Sequence, residues 1–261
     1  MMIKAKHIPA LLLSALVTIS GPVTANAAGG GFALEGAGND VSDIASLQRG
    51  ARNFVNYCMG CHSAKYIRFS KLQETLHLTE EQMQENLMFA ATKVDETMTV
   101  AMPAADAARW FGQAPPDLTL VARSRGTAWV YTFLQSFYLD DKAMTGTNNL
   151  VLPNASMPHV LWELQGLQSA TFQTSTDDET GETIEHFGDP AYFESLEQET
   201  EGSLSPEEYD QFVRDIVNFL DWAGTPEQLE RRTLGIWVLI FLFVFLIFAY
   251  LLKVEIWKDV K

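Results

Sequence analysis

Cysteine is nearly missing from this 261-residue chain: there are two, Cys58 and Cys61, three positions apart. No thiol remains to complete a zinc site around that pair, which excludes a structural zinc centre of the usual two-pair kind. A thioredoxin-like βαβ pattern is also absent around the pair, which removes the dithiol redox reading. Positive charge is scarce as well. Lys and Arg number 18 against 33 acids, a formal charge of −15, so the chain should repel nucleic acid and attract basic partners. The scarcity is sharpest from Asp177 to Asp210, where thirteen acids stand without a single Lys or Arg. That block reads either as a solvated surface insertion or as a docking surface.

What is present is Cys58-Met59-Gly60-Cys61-His62. Two thiols three positions apart on one helical turn can bond to the two vinyl groups of a haem, and the adjacent imidazole then comes under the ring as an axial iron ligand. A buried structural disulfide would have no use for His62. The pattern therefore points to one covalently bound haem c. The N-terminus agrees. Lys4 and Lys6, the apolar run from Ile8 to Ile19 and Ala25-Asn26-Ala27 make residues 1–27 an export signal with a small-residue cleavage site. Haem c is attached on the outer side of the bacterial inner membrane, so address and cofactor match. Without those residues 16 basic groups face 33 acids, and the charge becomes −17.

Residues 28–225 read as a periplasmic haem domain. Residues 28–38, rich in Gly and Ala, read as a flexible arm. From Asp40 to Tyr57 apolar residues recur at helical spacing (Ile44, Leu47, Ala51, Val55, Cys58), so this helix delivers the haem-binding pentapeptide at its C-terminal end. Gly50 lowers helix stability there, which predicts close approach of another backbone. Ser63 to Phe69 is expected to wrap the haem as irregular backbone. Thr79-Glu80-Glu81-Gln82 forms a capping box for a short helix through Met88. Residues 92–118, with Pro103, Pro115 and Pro116, read as loop. Thr127 is placed to cap a helix burying Val130, Phe133, Leu134 and Phe137. Residues 140–158 again read mostly as loop. Ser205-Pro206-Glu207-Glu208 starts a helix that buries Tyr209, Phe212, Val213, Ile216 and Leu220 and stops at Gly224.

Thr225-Pro226-Glu227-Gln228 is expected to open the last helix in the same way, within a C-terminal segment 226–261. Leu234–Leu252 is nineteen residues without a charge, about 28 Å of helix, one bilayer core. Trp237, Tyr250 and Trp257 supply interface aromatics. Arg231 and Arg232 before the span nearly balance Lys253, Lys258 and Lys261 after it, so orientation follows from the export signal: haem domain outside, C-terminus cytoplasmic.

The sixth iron position has many candidates. Nine methionines compete, Met102 and Met157 each preceding a proline, and His77, His159 and His186 are eligible. Thioether sulfur suits electron transfer because it raises the potential, but spacing alone leaves the choice open.

Taken together, Arg49-Gly50 ahead of Cys58-x-x-Cys61-His62-Ser63, then Ala114-Pro115-Pro116-Asp117-Leu118, Arg123-x-Arg125, Met157-Pro158 and a single C-terminal span resemble the cytochrome c1 family. The likeness covers almost the whole chain after residue 27. Cys-x-x-Cys-His is common to all c-type cytochromes; the Pro-Pro-Asp-Leu segment, the late Met-Pro and the C-terminal anchor are specific in combination. The resemblance implies a mainly α cytochrome c-like domain with loop insertions plus one transmembrane helix. It implies His62 and Met157 as axial ligands and Cys58 and Cys61 as thioether attachments. Pro115 and Pro116 are implied to pack near the haem, Arg125 to pair with a propionate, and Tyr131 to lie close to the ring. It implies further that the chain works in a dimeric quinol–cytochrome c oxidoreductase with a cytochrome b subunit. A Rieske iron–sulfur protein is implied as donor and a cytochrome c as acceptor, with no bond-making chemistry by this chain itself. A free-standing anchored cytochrome feeding a terminal oxidase, and a haem sensor or peroxidase with open iron, are the other classes. Some bacterial members carry an extra cysteine pair bracing the haem region; here packing must replace it.

Overall fold

The computed structural model describes residues 32–176 and 183–259; the expected export signal, residues 1–27, lies outside them. Nine α-helices and four two-stranded antiparallel sheets follow one another among these residues, so the architecture is mainly α. The organising pair is α1 (Ile44–Tyr57) and, late in the chain, a helix at Pro206–Gly224. Asp43 caps α1 by accepting the Ser46 N–H. Inside α1, Gly50 is buried against the later helix. A Cβ there would overlap the Asp215 carbonyl oxygen and sit 2.8 Å from its carbon and 2.9 Å from the Phe219 Cβ. Next to it, Arg49 reaches Asp215 with two bonds of 2.6 and 2.9 Å. Ser46 Oγ–H and Gln211 Nε2–H also donate to Asp215. Only 2% of Asp215 is exposed, and the bonds from Arg49, Ser46 and Gln211 offset its desolvation. Phe54 stacks obliquely on Phe219, centroids 5.1 Å apart, each burial contributing about 1.5–3 kcal/mol.

This close approach has a testable cost. Replacing Gly50 by Ala gains up to about 1 kcal/mol of helix propensity, but overpacking of this kind costs about 1–3 kcal/mol. Backbone overlap puts the loss at the upper end. Gly50→Ala should therefore lower the denaturant midpoint, and Gly50→Val more so. An Ala variant as stable as the parent would remove the contact from the account.

After α1 the chain turns through the pentapeptide into β1 (Ala64–Arg68), then α2 (Phe69–Leu76) and α3 (Glu80–Asn86). Residues 64–68 are thus a strand rather than irregular backbone, paired through a bulge with β2 (Thr97–Met98). The Thr79–Gln82 capping box is formed in both directions. Within the stretch expected to be loop lies α4 (Ala104–Phe111), with Pro103 at its N-cap. A proline there breaks nothing, because no intrahelical N–H is required.

Next come α5 (Val121–Arg125) and α6 (Thr127–Gln135). Thr127 is the first residue of α6 and caps nothing; Gly126, at φ +92, makes the corner. Phe137 lies beyond α6, in β3 (Phe137–Leu139), which forms a hairpin with β4 (Thr147–Asn149). After α7 (Trp162–Gln165), β5 (Gln168–Phe172) and β6 (Thr174–Thr176) pair with β8 (Phe193–Gln198) and β7 (Thr183–Glu185) respectively. Two strands of the acid-rich stretch, Thr183–Glu185 and Phe193–Gln198, are therefore sheet. Phe172 and Phe187 pin it to Tyr138, with ring centroids 5.3–6.1 Å apart.

The long helix α8 (Pro206–Gly224) starts from a complete Ser205–Glu208 capping box. Residues 32–38 are not a free arm. Phe32 packs edge-on against Phe193, Ala37 is buried, and Glu35 N–H donates to Thr132 Oγ1 at 2.8 Å. Last is α9 (Gln228–Ile256), whose N-cap is Glu227 without a side-chain bond, so Thr225 does not cap it. By length and composition α9 can cross a membrane, and Leu234 to Leu252 bury nothing against the rest of the chain.

Candidate haem site

The pentapeptide leaves the end of α1 as a tight turn. Cys58 closes α1, and the N–H groups of Cys61 and His62 both donate to the Cys58 carbonyl at 3.0 and 2.8 Å. This folds both sulfurs and the imidazole onto one cavity of about 380 Å³, lined by apolar side chains from α5, α6 and α8 and from residues 111–121 and 152–160. That volume falls in the range of cofactor pockets. The two cysteines are not joined to each other. Burial, with Cys61 adding to it, pushes the Cys58 thiol up to about 12. Such surroundings penalise a thiolate but not a thioether, which has no charge to desolvate.

His62 is buried, and its Nδ1 lies 2.7 Å from the Pro116 carbonyl oxygen. A carbonyl only accepts, so Nδ1 carries the proton and Nε2 keeps its lone pair for a metal. Burial lowers the His62 pKa, against the Pro116 bond and nearby Asp117. The proline pair explains the aim of that carbonyl. Pro115 and Pro116 hold the segment extended, and Asp117 then fastens it by accepting the N–H groups of Lys65 and Thr119 at 2.8 and 3.0 Å. Leu118 N–H adds a bond to the Ser63 carbonyl at 2.8 Å.

Pro115, Pro116, Arg125 and Met157 line the same cavity as Cys58, Cys61 and His62. Met157 is the only methionine that does so among the described residues. Met102, His77, His159 and His186 are elsewhere: His77 ends α2, His159 stacks on Phe137, and His186 stacks on Tyr192. The structure also separates the two arginines. Arg123 turns to the Gly224 carbonyl at the end of α8, while Arg125, set over the Trp129 ring at 5.1 Å, is the only Lys or Arg lining the cavity among the described residues.

Tyr131 is placed differently from the expectation. Trp129, Val130, Phe133 and Leu134 make the cavity face of α6, and Tyr131 falls beyond its edge. Its hydroxyl donates to Asp210 and accepts from Arg214 at 3.2 Å, under whose guanidinium the ring sits at 5.0 Å.

The donor set fits a haem. It comprises one neutral imidazole, one thioether sulfur and two attachment sulfurs in apolar walls, with one guanidinium for a propionate. No cluster of three or more His, Cys, Asp or Glu of metal-holding geometry occurs among the described residues. Helical spacing puts Val130, Phe133, Leu134, Ile216 and Leu220 on buried faces; that these faces meet as walls of one cavity follows only from how α6 and α8 pack.

Comparison with known proteins agrees with this chemistry. The model of the Cytochrome C1 family matches residues 36–260. A cytochrome c1 of Allochromatium vinosum is 49% identical over 249 residues, covering 95% of this chain and 98% of that protein. A protein of Nitrosomonas europaea described as an ammonia monooxygenase gamma subunit is 39% identical over 250 residues, covering 96% and 97%. A cytochrome c1 of Rhodospirillum rubrum is 29% identical over 244 residues, covering 84% and 83%.

Proposed function

The chain belongs to the Cytochrome C1 family, and on that premise we propose that it is the single-haem carrier between a Rieske iron–sulfur protein and a cytochrome c. Membership makes it a haem-bearing, membrane-anchored electron-transfer subunit of a cytochrome bc1 complex. The finer reading is supported by one observation above all: Cys58, Cys61, His62 and Met157 share the walls of a single apolar cavity.

A bound haem supplies a one-electron iron couple. The residues of the chain do the rest. Cys58 and Cys61 would attach the ring, and the His62 imidazole and Met157 thioether would hold its iron. The Pro116 carbonyl, accepting the Nδ1 proton, orients the imidazole and raises its basicity. Trp129, Phe133 and Leu134 keep water out, which raises the potential and limits rearrangement on electron transfer. Arg125 pairs with a propionate. Residues 1–27 are removed on export, the haem domain stands in the periplasm beside a cytochrome b subunit, and α9 crosses the inner membrane with its C-terminus in the cytoplasm. Two such assemblies form the dimeric complex.

A mild-detergent pull-down of the tagged full chain, with haem staining and mass spectrometry, tests this. Cytochrome b and Rieske subunits should be recovered together. A terminal oxidase recovered in their absence would make the chain a free-standing carrier and overturn the assignment.

The acid-rich surface bears on the acceptor. Glu194 and Glu197 on β8, and Glu199 and Glu201 just after it, are all exposed. With a charge of −17 after export, attraction of a basic cytochrome c acts on the association rate and is screened over about 8 Å at physiological salt. Oxidation of the reduced protein by such an acceptor should slow as ionic strength rises, and the quadruple Glu→Gln variant should flatten that slope. Equal slopes for both forms would move docking to the haem edge.

A further inference from the structure

We propose that the adjacent side chains of Asn148 and Asn149 are positioning residues that hold the segment carrying Met157 against the cavity, and so keep the sixth iron position closed. The inference rests on the reading of Met157 as an axial ligand.

Residues 150–158 form no regular structure, and among the described residues their one main-chain bond to other main chain is Leu150 N–H to the Ser136 carbonyl at 3.1 Å. Something else must fix them. Asn149 is fully buried at 0% exposure. Its Oδ1 accepts the N–H groups of Val151 and Leu152 at 2.9 and 3.1 Å and the Ser136 hydroxyl at 3.3 Å. Its Nδ2 donates to the Phe133 carbonyl at 2.8 Å, one of the carbonyls that α6 leaves unpaired as it ends. Phe133 and Leu152 both line the cavity, so a single carboxamide ties the α6 wall to the opposite segment.

Asn148 continues the device toward the ligand. Its Oδ1 accepts the N–H groups of Asn149 and Asn154 at 2.8 and 2.7 Å, and its Nδ2 donates to Asp140 Oδ2 at 2.9 Å. Asn154 has φ +61, a left-handed turn that asparagine tolerates. The chain reverses there, and Ala155, Ser156 and Met157 follow directly onto the cavity wall. Both oxygens and both nitrogens of the two carboxamides are bonded, and each buried group left unpaired would cost on the order of 1–3 kcal/mol.

The test uses the full-length haem-loaded protein and reads carbon monoxide binding by the ferrous form, the reduction potential and the unfolding midpoint. Asn149→Leu strips four bonds. Asn148→Asp keeps the oxygen that faces Asn154 but sets a carboxylate against Asp140. Both should bind carbon monoxide about tenfold faster than the parent or more, with a potential lowered toward that of Met157→Leu. The double exchange Asn148→Asp with Asp140→Asn restores one donor facing one acceptor, and should return both readings to the parent values. It decides the matter even where Asn149→Leu fails to fold. Lowered unfolding midpoints with unchanged potential and carbon monoxide binding would make the pair merely structural and overturn the proposal. If Met157→Leu itself stays closed to carbon monoxide, the ligand assignment falls, and this inference with it.

Discussion

Met157→Leu should lower the reduction potential of the haem by a large part of the about 0.8 V that axial ligands can span, and open the ferrous form to carbon monoxide. Thioether sulfur favours reduced iron, and an alkyl side chain of the same bulk offers no lone pair to hold it. The packing change is small, because Leu and Met are close in volume, and Met157 is only half-buried. Stability should therefore move little while the potential moves a great deal. Met102→Leu is the control, since Met102 does not line the cavity. Redox titration with carbon monoxide difference spectra separates the two. An unchanged potential in Met157→Leu, or a fall in Met102→Leu instead, would reassign the sixth ligand. It would also reopen the class of haem proteins with exposed iron.

The second large effect concerns attachment. The denatured mature chain should keep the mass of one haem and stain for haem peroxidase activity, because thioether bonds survive unfolding. Cys58→Ser together with Cys61→Ser should abolish both signals. His62 and Met157 would then hold any residual haem only by coordination, and denaturing electrophoresis would strip it. Intact-mass spectrometry of the purified chain decides between this and its opposite. Two free thiols, or one disulfide, in the parent protein would remove the haem c reading altogether.

Some features of this molecule were legible because they depend on neighbours in sequence. The turn of Cys58 to His62 needs only five residues. The capping boxes at Thr79 and Ser205 need four each, and both form as written. The apolar run from Leu234 to Leu252 needs nothing but its own composition to be a candidate span. Gly50 is a partial case. Its presence in a helix implied a close backbone, but the identity of that backbone, at Asp215, is a matter of long-range packing. The expectations of loop at residues 92–118 and 140–158 fail for one reason. Breakers such as Pro103 and Gly146 dominate both stretches, yet a proline at a helix cap costs nothing and β4 is stabilised by its partner strand.

Local spacing alone carries the haem-attachment pattern of Cys58, Cys61 and His62, the starts of α3 and α8 and the one apolar helix, since each needs only neighbouring residues. Which of the candidate ligands share a cavity follows only from long-range packing. Met157, Arg125 and the Pro116 carbonyl reach the cavity from three separate segments, and no periodicity relates positions that far apart. The same packing turned Tyr131 away from that cavity toward Asp210 and Arg214, because the face a helix presents is set by what packs against it. The segment before Met157 is held by two side chains rather than by any regular element. Hydrogen bonds between a carboxamide and distant main chain leave no pattern in sequence, because the partners are selected by the fold.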